Sequence, residues 1–311
     1  MRLLLRLIPL LLETALSVAI AIPSVAQMQT DLSQFQAGTP PSFDDPSAAL
    51  DRLRAVLSAD DVDGLAGLLG LDAAKLRSSK EAMESYDLIR KGAARQLRVQ
   101  DLGGRMIIAV GDVLWPLPFP LARDKEGKWA FDTEVGLQEI VNRRVGQNEL
   151  ATIQTMHDYV SAQYEYARID QDEDGLYEFA QKLISSADRR DGLYWQPGLF
   201  DEDSPVGDLI QAAAFDKAKR GEGYYGYRYR ILTGQGSNVI GGKQSYLING
   251  NMTGGFALIA WPVTYRMTGV QTFIVNNAGI VYERDLGRQT EQRAGAIKEF
   301  NPNDNWTIVR D

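Results

Sequence analysis

Apolar residues recur at three- and four-residue steps through Leu150, Ile153, Met156, Val160, Tyr164 and Ala167. That is the period of one helical face, and it predicts a long amphipathic helix running into an acidic turn at 170–175. Asn148 reads as its N-cap, with Glu149 at the positive end of the helix dipole. A separate helix is expected at 134–144, with Gly146 marking the break. Upstream, Asp45-Pro46 is a helix start, Asp at the cap and Pro in the first turn, followed by the stripe Ala49, Leu50, Leu53, Val56 and Leu57. A short helix at 61–69 should stop at Gly70, and a third helical stretch covers about 79–91.

Strand patterns follow at 96–102, 105–113, 121–123 and 128–131, with Glu126-Gly127 as a hairpin turn between the last two. Beyond the long helix, a short helix is expected at 205–219. Tyr225, Tyr227, Tyr229 and Ile231 then alternate with Gly226, Arg228 and Arg230, the period of a half-buried strand. The run at 255–263 is apolar on both faces and should be central in its sheet. Segments 270–275 and 279–284 flank Asn276-Asn277-Ala278, a hairpin turn. A tail helix at 290–300 and a closing strand around Trp306 and Ile308 complete an α+β pattern.

The amino terminus changes the picture. Arg2 and Arg6 precede an apolar run, and Ser24-Val25-Ala26 offers the small residues that a signal peptidase needs. Residues 1–26 are therefore expected to be a signal peptide cleaved after Ala26. Glu13 interrupts the run, and neither side reaches the roughly 20 apolar residues of a spanning helix, so no stable membrane insertion is expected after cleavage. Residues 27–42 are rich in Gln, Thr, Ser, Pro and Gly and read as a flexible linker. The expected location is periplasmic or secreted. The chain has no Cys, which removes disulfides, thiol catalysis and thiolate metal sites together. The formal charge is −8, from 33 Lys and Arg against 41 Asp and Glu. Without a basic cluster, nucleic acid is not an expected partner.

Candidate chemistry is sparse. The single histidine, His157, lies on the long helix, and a Ser–His–Asp triad would have to recruit it. No catalytic residue is assigned. Asp101, Asp112 and Asp132 are the carboxylates an acid/base pair in the first half would use, but their spacing singles none of them out. Arg189-Arg190 could grip a carboxylate or sugar acid; beside Asp188 and Asp191 the pair reads as surface charge. The alternation of proline and apolar residues at 115–120 forbids a central strand and predicts an edge or corner. The one metal-like pattern is Asp170, Asp172, Asp174 and Gly175, the D-x-D-x-D-G spacing with which alternate oxygens converge on Ca²⁺. Glu178 holds the ninth position of such a loop. Gln181 stands at the twelfth, where a bidentate Glu belongs, so a complete EF-hand is not expected.

Two likenesses are carried by longer words. PSAALDRLRAVLSADDVDGLAGLLG with PLARDKEGKWAFD resembles the cystatin-like or nuclear-transport-factor-like fold, helices packed on a curved antiparallel sheet. The words RRVGQNELATIQTMHDYVSAQYEYARIDQDEDGLYEFAQKLIS, RDGLYW, GYRYRIL and NMTGGFALIAWPVTYRMTGVQTFIVNNAGIVYERDLG resemble exported bacterial proteins of domain-of-unknown-function family 2950, from about Phe43 to the C-terminus. That resemblance implies export and supplies no reaction. A weaker likeness joins the YVSAQYEY helix, the acidic turn and the C-terminal sheet to the globular part of pseudopilins and pilins. Those proteins carry a hydrophobic assembly segment before the helix, where this chain has Glu139, Asn142, Arg143, Arg144 and Gln147.

The expectation is an exported α+β protein with an NTF2-like unit at 43–146 and a pilin-like helix-plus-sheet unit at 147–311. Its expected role is non-catalytic: an envelope module that binds a protein or glycan, or scaffolds an assembly. The alternatives are a carboxylate-dependent hydrolase or isomerase with its site in the first unit, and a calcium-dependent adhesion module.

Overall fold

Capping chemistry sets the first layer. In a computed structural model describing residues 32–200 and 203–310, the Asp45 carboxylate accepts from Ala48 N at 2.9 Å, and α1 runs Pro46–Ser58. Asp61 does the same for Gly64 N, and α2, Val62–Leu69, ends at Gly70, whose positive φ of 70° closes the turn. Two further helices follow, α3 (Ala73–Ser78) and α4 (Lys80–Ala93). Sequence predicted only the second. α3 fully buries none of its side chains; only Ala73 and Leu76 pack half-buried on the core, too few for a stripe, and Asp72 caps it by accepting from Lys75 N.

These helices pack on an antiparallel sheet of β1 (Leu97–Asp101), β2 (Arg105–Val110), β3 (Trp115–Pro116), β4 (Leu121–Arg123) and β5 (Trp129–Phe131), ordered β1-β2-β4-β5 with β3 beside β2. The proline-rich segment forms an edge, as its alternation required. Trp115 and Pro116 stay exposed while Leu117 and Phe119 drop into the core. Part of the expected linker also joins this core. Leu32–Phe35 form one 3₁₀ turn, Leu32 and Phe35 pack on the cluster, and Ala37 N donates to Gly70 O at 3.0 Å. Two apolar side chains suffice to dock a stretch whose average composition is polar. The predicted signal peptide lies outside the described residues.

The central element is α5, Thr133–Tyr166, 34 residues without interruption. This corrects two expectations. Gly146 does not break the helix, because a single glycine only weakens one by about 1 kcal/mol. Asn148 is not a cap: Asp132 is, accepting from Val135 N, while Asn148 sits mid-helix and donates to Thr268 O at 2.9 Å. The buried face is also turned from the predicted one. Leu150 is 70% and Tyr164 46% exposed, whereas Thr152, Met156, Tyr159, Gln163 and Tyr166 are buried. Tyr159 and Gln163 enter the core because each finds a hydrogen-bond partner there, which hydropathy alone does not reveal.

After α5 come α6 (Ala212–Lys219), β6 (Tyr227–Leu232), the small pairs β7 (Gly234–Gln235) with β8 (Gln244–Ser245) and β9 (Leu247–Ile248) with β10 (Asn251–Met252), then β11 (Ala257–Pro262), β12 (Gln271–Asn276) and β13 (Tyr282–Asp285). Helix α7 (Thr290–Ala296) and β14 (Thr307–Ile308) end the chain. The large sheet is antiparallel, ordered β14-β13-β12-β11-β6, and β11 is buried at every position. The C-terminal part of α5 lies against β11 and β12, and α7 lies against β11. Arg230 on β6 holds the end of α7, donating to Ala294 O at 2.9 Å and to Gly295 O at 3.3 Å. One helix thus serves two hydrophobic clusters. Leu137 belongs to the first; Met156, Tyr159, Ala162 and Tyr166 belong to the second. Among the described residues no helix is long and apolar enough to cross a membrane.

Candidate functional site

The acidic turn begins where α5 stops. Tyr166 ends the helix, its hydroxyl donating to Arg190 O at 2.7 Å, and the chain turns back at Glu173 and Gly175, both at positive φ. Asp170 Oδ2 accepts from Gly175 N at 2.8 Å, and Asp174 Oδ1 accepts from Leu176 N at 2.8 Å. Across this turn one oxygen each of Asp170, Asp172 and Asp174 lies within 4.8 Å of the others. Three negative charges at that spacing repel one another. Asp170 Oδ1 and Gln171 Oε1 are buried with no hydrogen-bond partner.

A hairpin far along the chain closes the site. Asn251 Nδ2 donates to Asp174 Oδ2 at 3.1 Å, and Met252 N donates to Glu178 Oε2 at 3.1 Å. Glu178 is therefore drawn toward β10 and is not one of the three clustered carboxylates. Its carboxyl is pushed above the usual range, first by burial and then by Asp172, Asp174 and Asp170, with the Met252 N–H acting against them. Gln181, at the twelfth loop position, donates to Gly250 O at 2.8 Å, so it serves the hairpin. The donor set is all oxygen and acidic, which matches a hard cation. It lacks the bidentate carboxylate of a complete loop.

Two interactions behind the turn escaped sequence reading. Gln163 uses its side-chain amide as a strand would use its backbone: Oε1 accepts from Ala180 N at 2.8 Å and Nε2 donates to Ala180 O at 2.9 Å. This anchors the segment that leaves the turn. Glu149 does not serve the helix dipole. Its Oε1 accepts from Val270 N at 2.7 Å and Gln271 N at 2.9 Å, fixing the start of β12 to the helix. Neither has a sequence signal, since both partners depend on where distant segments land.

The carboxylates and Arg190 noted in the sequence have structural partners. Asp101 accepts from Gly103 N in the β1–β2 turn, Asp112 pairs with Arg95 at 2.9 Å, and Asp132 caps α5. His157 is half-buried on α5. Arg190 lies over the Phe200 ring at 4.9 Å, and Asp191 pairs with Lys182 at 2.6 Å. The alternating tyrosines are packed: Tyr227 is buried and Tyr229 donates to Thr152 Oγ1 at 3.3 Å.

No curated protein and no solved structure matches this chain. A family model does, over residues 41–309, and on that match the chain belongs to the family described as protein of unknown function (DUF2950).

Proposed function

We propose that this chain is exported and works in the cell envelope as a non-catalytic binding or scaffolding module, with an acidic turn that takes Ca²⁺. One observation carries the calcium part: Asp170, Asp172 and Asp174 converge, and an Asp170 oxygen is buried without a donor. Those three aspartates would hold the ion, with Glu178 beside them. The ion would offset their mutual repulsion and stiffen the link from α5 through the turn to the β9–β10 hairpin. Export rests on the amino-terminal pattern, and the binding role on a helix that joins two packed cores and presents the turn at its end.

The test is a thermal melt with and without calcium. With the twelfth ligand missing, affinity should be about millimolar, the weak end of the range for such loops. At tenfold excess over Kd the ion adds about 1.4 kcal/mol, a midpoint rise of a few degrees for a chain of this size. Asp172→Ala should abolish the rise and change little without calcium. An unchanged midpoint at about 10 mM Ca²⁺, a concentration well above such a Kd, would remove the calcium site.

A further inference from the structure

At one end of the large sheet's strands a groove of about 470 Å³ opens between the end of β11, the turn that follows it and the start of α7. Its charge is unusual for this protein. Arg266 and Arg288 both line it, and both are exposed. Among the described residues Arg288 has no acidic partner, and Arg266 has only the ring of Tyr265, 5.4 Å away. The acidic residue in the lining, Glu291, is already matched, accepting from Arg228 at 2.6 Å and from Trp261 Nε1 at 2.8 Å. So two unmatched guanidinium groups face one cavity in a chain of net charge −8.

The backbone shows that Arg266 is held there. Its φ is 65°, a left-handed conformation that a long side chain adopts at a cost of about 1 kcal/mol or more. The turn enforces it, with Arg266 N donating to Gly269 O at 2.7 Å and Thr268 N to Thr264 O at 2.9 Å. Glycine would fit that conformation without strain, and arginine stands in its place. Arginine's planar fork suits a carboxylate, which it can grip through two parallel hydrogen bonds. The rest of the wall is Pro262, Val263, Thr264, Tyr265 and Thr290; the Tyr265 hydroxyl donates to Asp285 and the Thr290 hydroxyl to Gly287 O. An apolar floor, a hydroxyl and a pair of carboxylate-binding cations fit a sugar ring that bears an acid, and the volume suits one or two rings.

We propose that this groove binds carboxylated sugars through Arg266 and Arg288. The inference gives a ligand class to the binding role put forward above and does not depend on calcium. The experiment is titration calorimetry with a galacturonate disaccharide, beside its neutral galactose analogue and inorganic phosphate. The acidic disaccharide should bind, and the neutral sugar and phosphate at least tenfold more weakly. Arg288→Gln should weaken binding tenfold or more with the melting midpoint unchanged. Arg266→Gly should weaken it as much while the midpoint rises, because the turn is relieved of its left-handed arginine. Equal binding of the neutral sugar or of phosphate, or full affinity in Arg288→Gln, overturns the proposal. Absence of sugar binding in protein that still shows the calcium-dependent midpoint rise removes this groove and leaves the calcium-binding module standing; sugar binding without that rise does the reverse.

Discussion

Replacing Gln163 by Met tests how the segment after the acidic turn is held. Gln163 is 0% exposed, and its amide satisfies both the N–H and the C=O of Ala180, itself buried. Met keeps the length and volume of the side chain and removes its hydrogen bonding. Both Ala180 groups are then left buried without partners, at about 1–3 kcal/mol each. Tyr159 also loses a donor at 3.0 Å, though its hydroxyl still reaches Ala257 O at 3.2 Å. The expected loss is therefore about 2–6 kcal/mol, a large share of the roughly 5–15 kcal/mol that folded domains possess. Urea unfolding followed by tryptophan fluorescence should show a lower midpoint at unchanged slope. Hydrogen exchange supplies a local readout, since the Ala180 amide should pass from protected to fast. A loss below about 1 kcal/mol, with the Ala180 amide still protected, would refute the reasoning, because it would mean that Ala180 has another partner.

Two glycines of α5 should respond with opposite signs to alanine. A Cβ at Gly136 would meet the Phe119 ring at 2.0 Å, so Gly136→Ala should lower stability by about 1–3 kcal/mol in urea unfolding. Nothing lies within 4 Å of a Cβ at Gly146, so Gly146→Ala should raise it by up to about 1 kcal/mol. Glu178→Gln tests the charge crowding at the turn. Burial and the neighbouring aspartates raise the folded-state pKa of Glu178, so its contribution to stability is present below the unfolded value and lost as pH rises through the folded one. Calcium-free melts should show the glutamine variant more stable than the parent near pH 7, with the gap closing near pH 4; a gap that persists in acid would refute it.

What sequence reveals here is what depends on neighbours along the chain. The Asp45-Pro46 start, the Gly70 stop, the Gly127 turn and the two-sided apolar run of β11 are all local, and each stands where its pattern placed it. The mixed α+β order, helices then sheet, long helix, then sheet, follows from them. The rotation of α5 was not legible, because Thr152 and Gln163 look polar until their partners are known. At the acidic turn the three aspartates of the D-x-D-x-D-G spacing each place an oxygen within 4.8 Å of the others. The diversion of Glu178 depends on Met252, 74 residues later, and no spacing rule contains that. Arg266 and Arg288 likewise become neighbours of one groove only after β12 and β13 intervene between them.

At 1.5 Å per residue, the uninterrupted α5 is a beam of about 50 Å, with one end bedded among the amino-terminal helices and the other under the C-terminal sheet. A truncation designed to separate the two halves has no natural place to cut. Severing between residues 146 and 147 would leave the first fragment with a stub at the length where an isolated helix is marginal in water, and would turn a greasy flank of each fragment toward water. Fragments meant for crystallisation or display should keep residues 133–166 whole, and a force that tilts one end of the beam will be felt at the other.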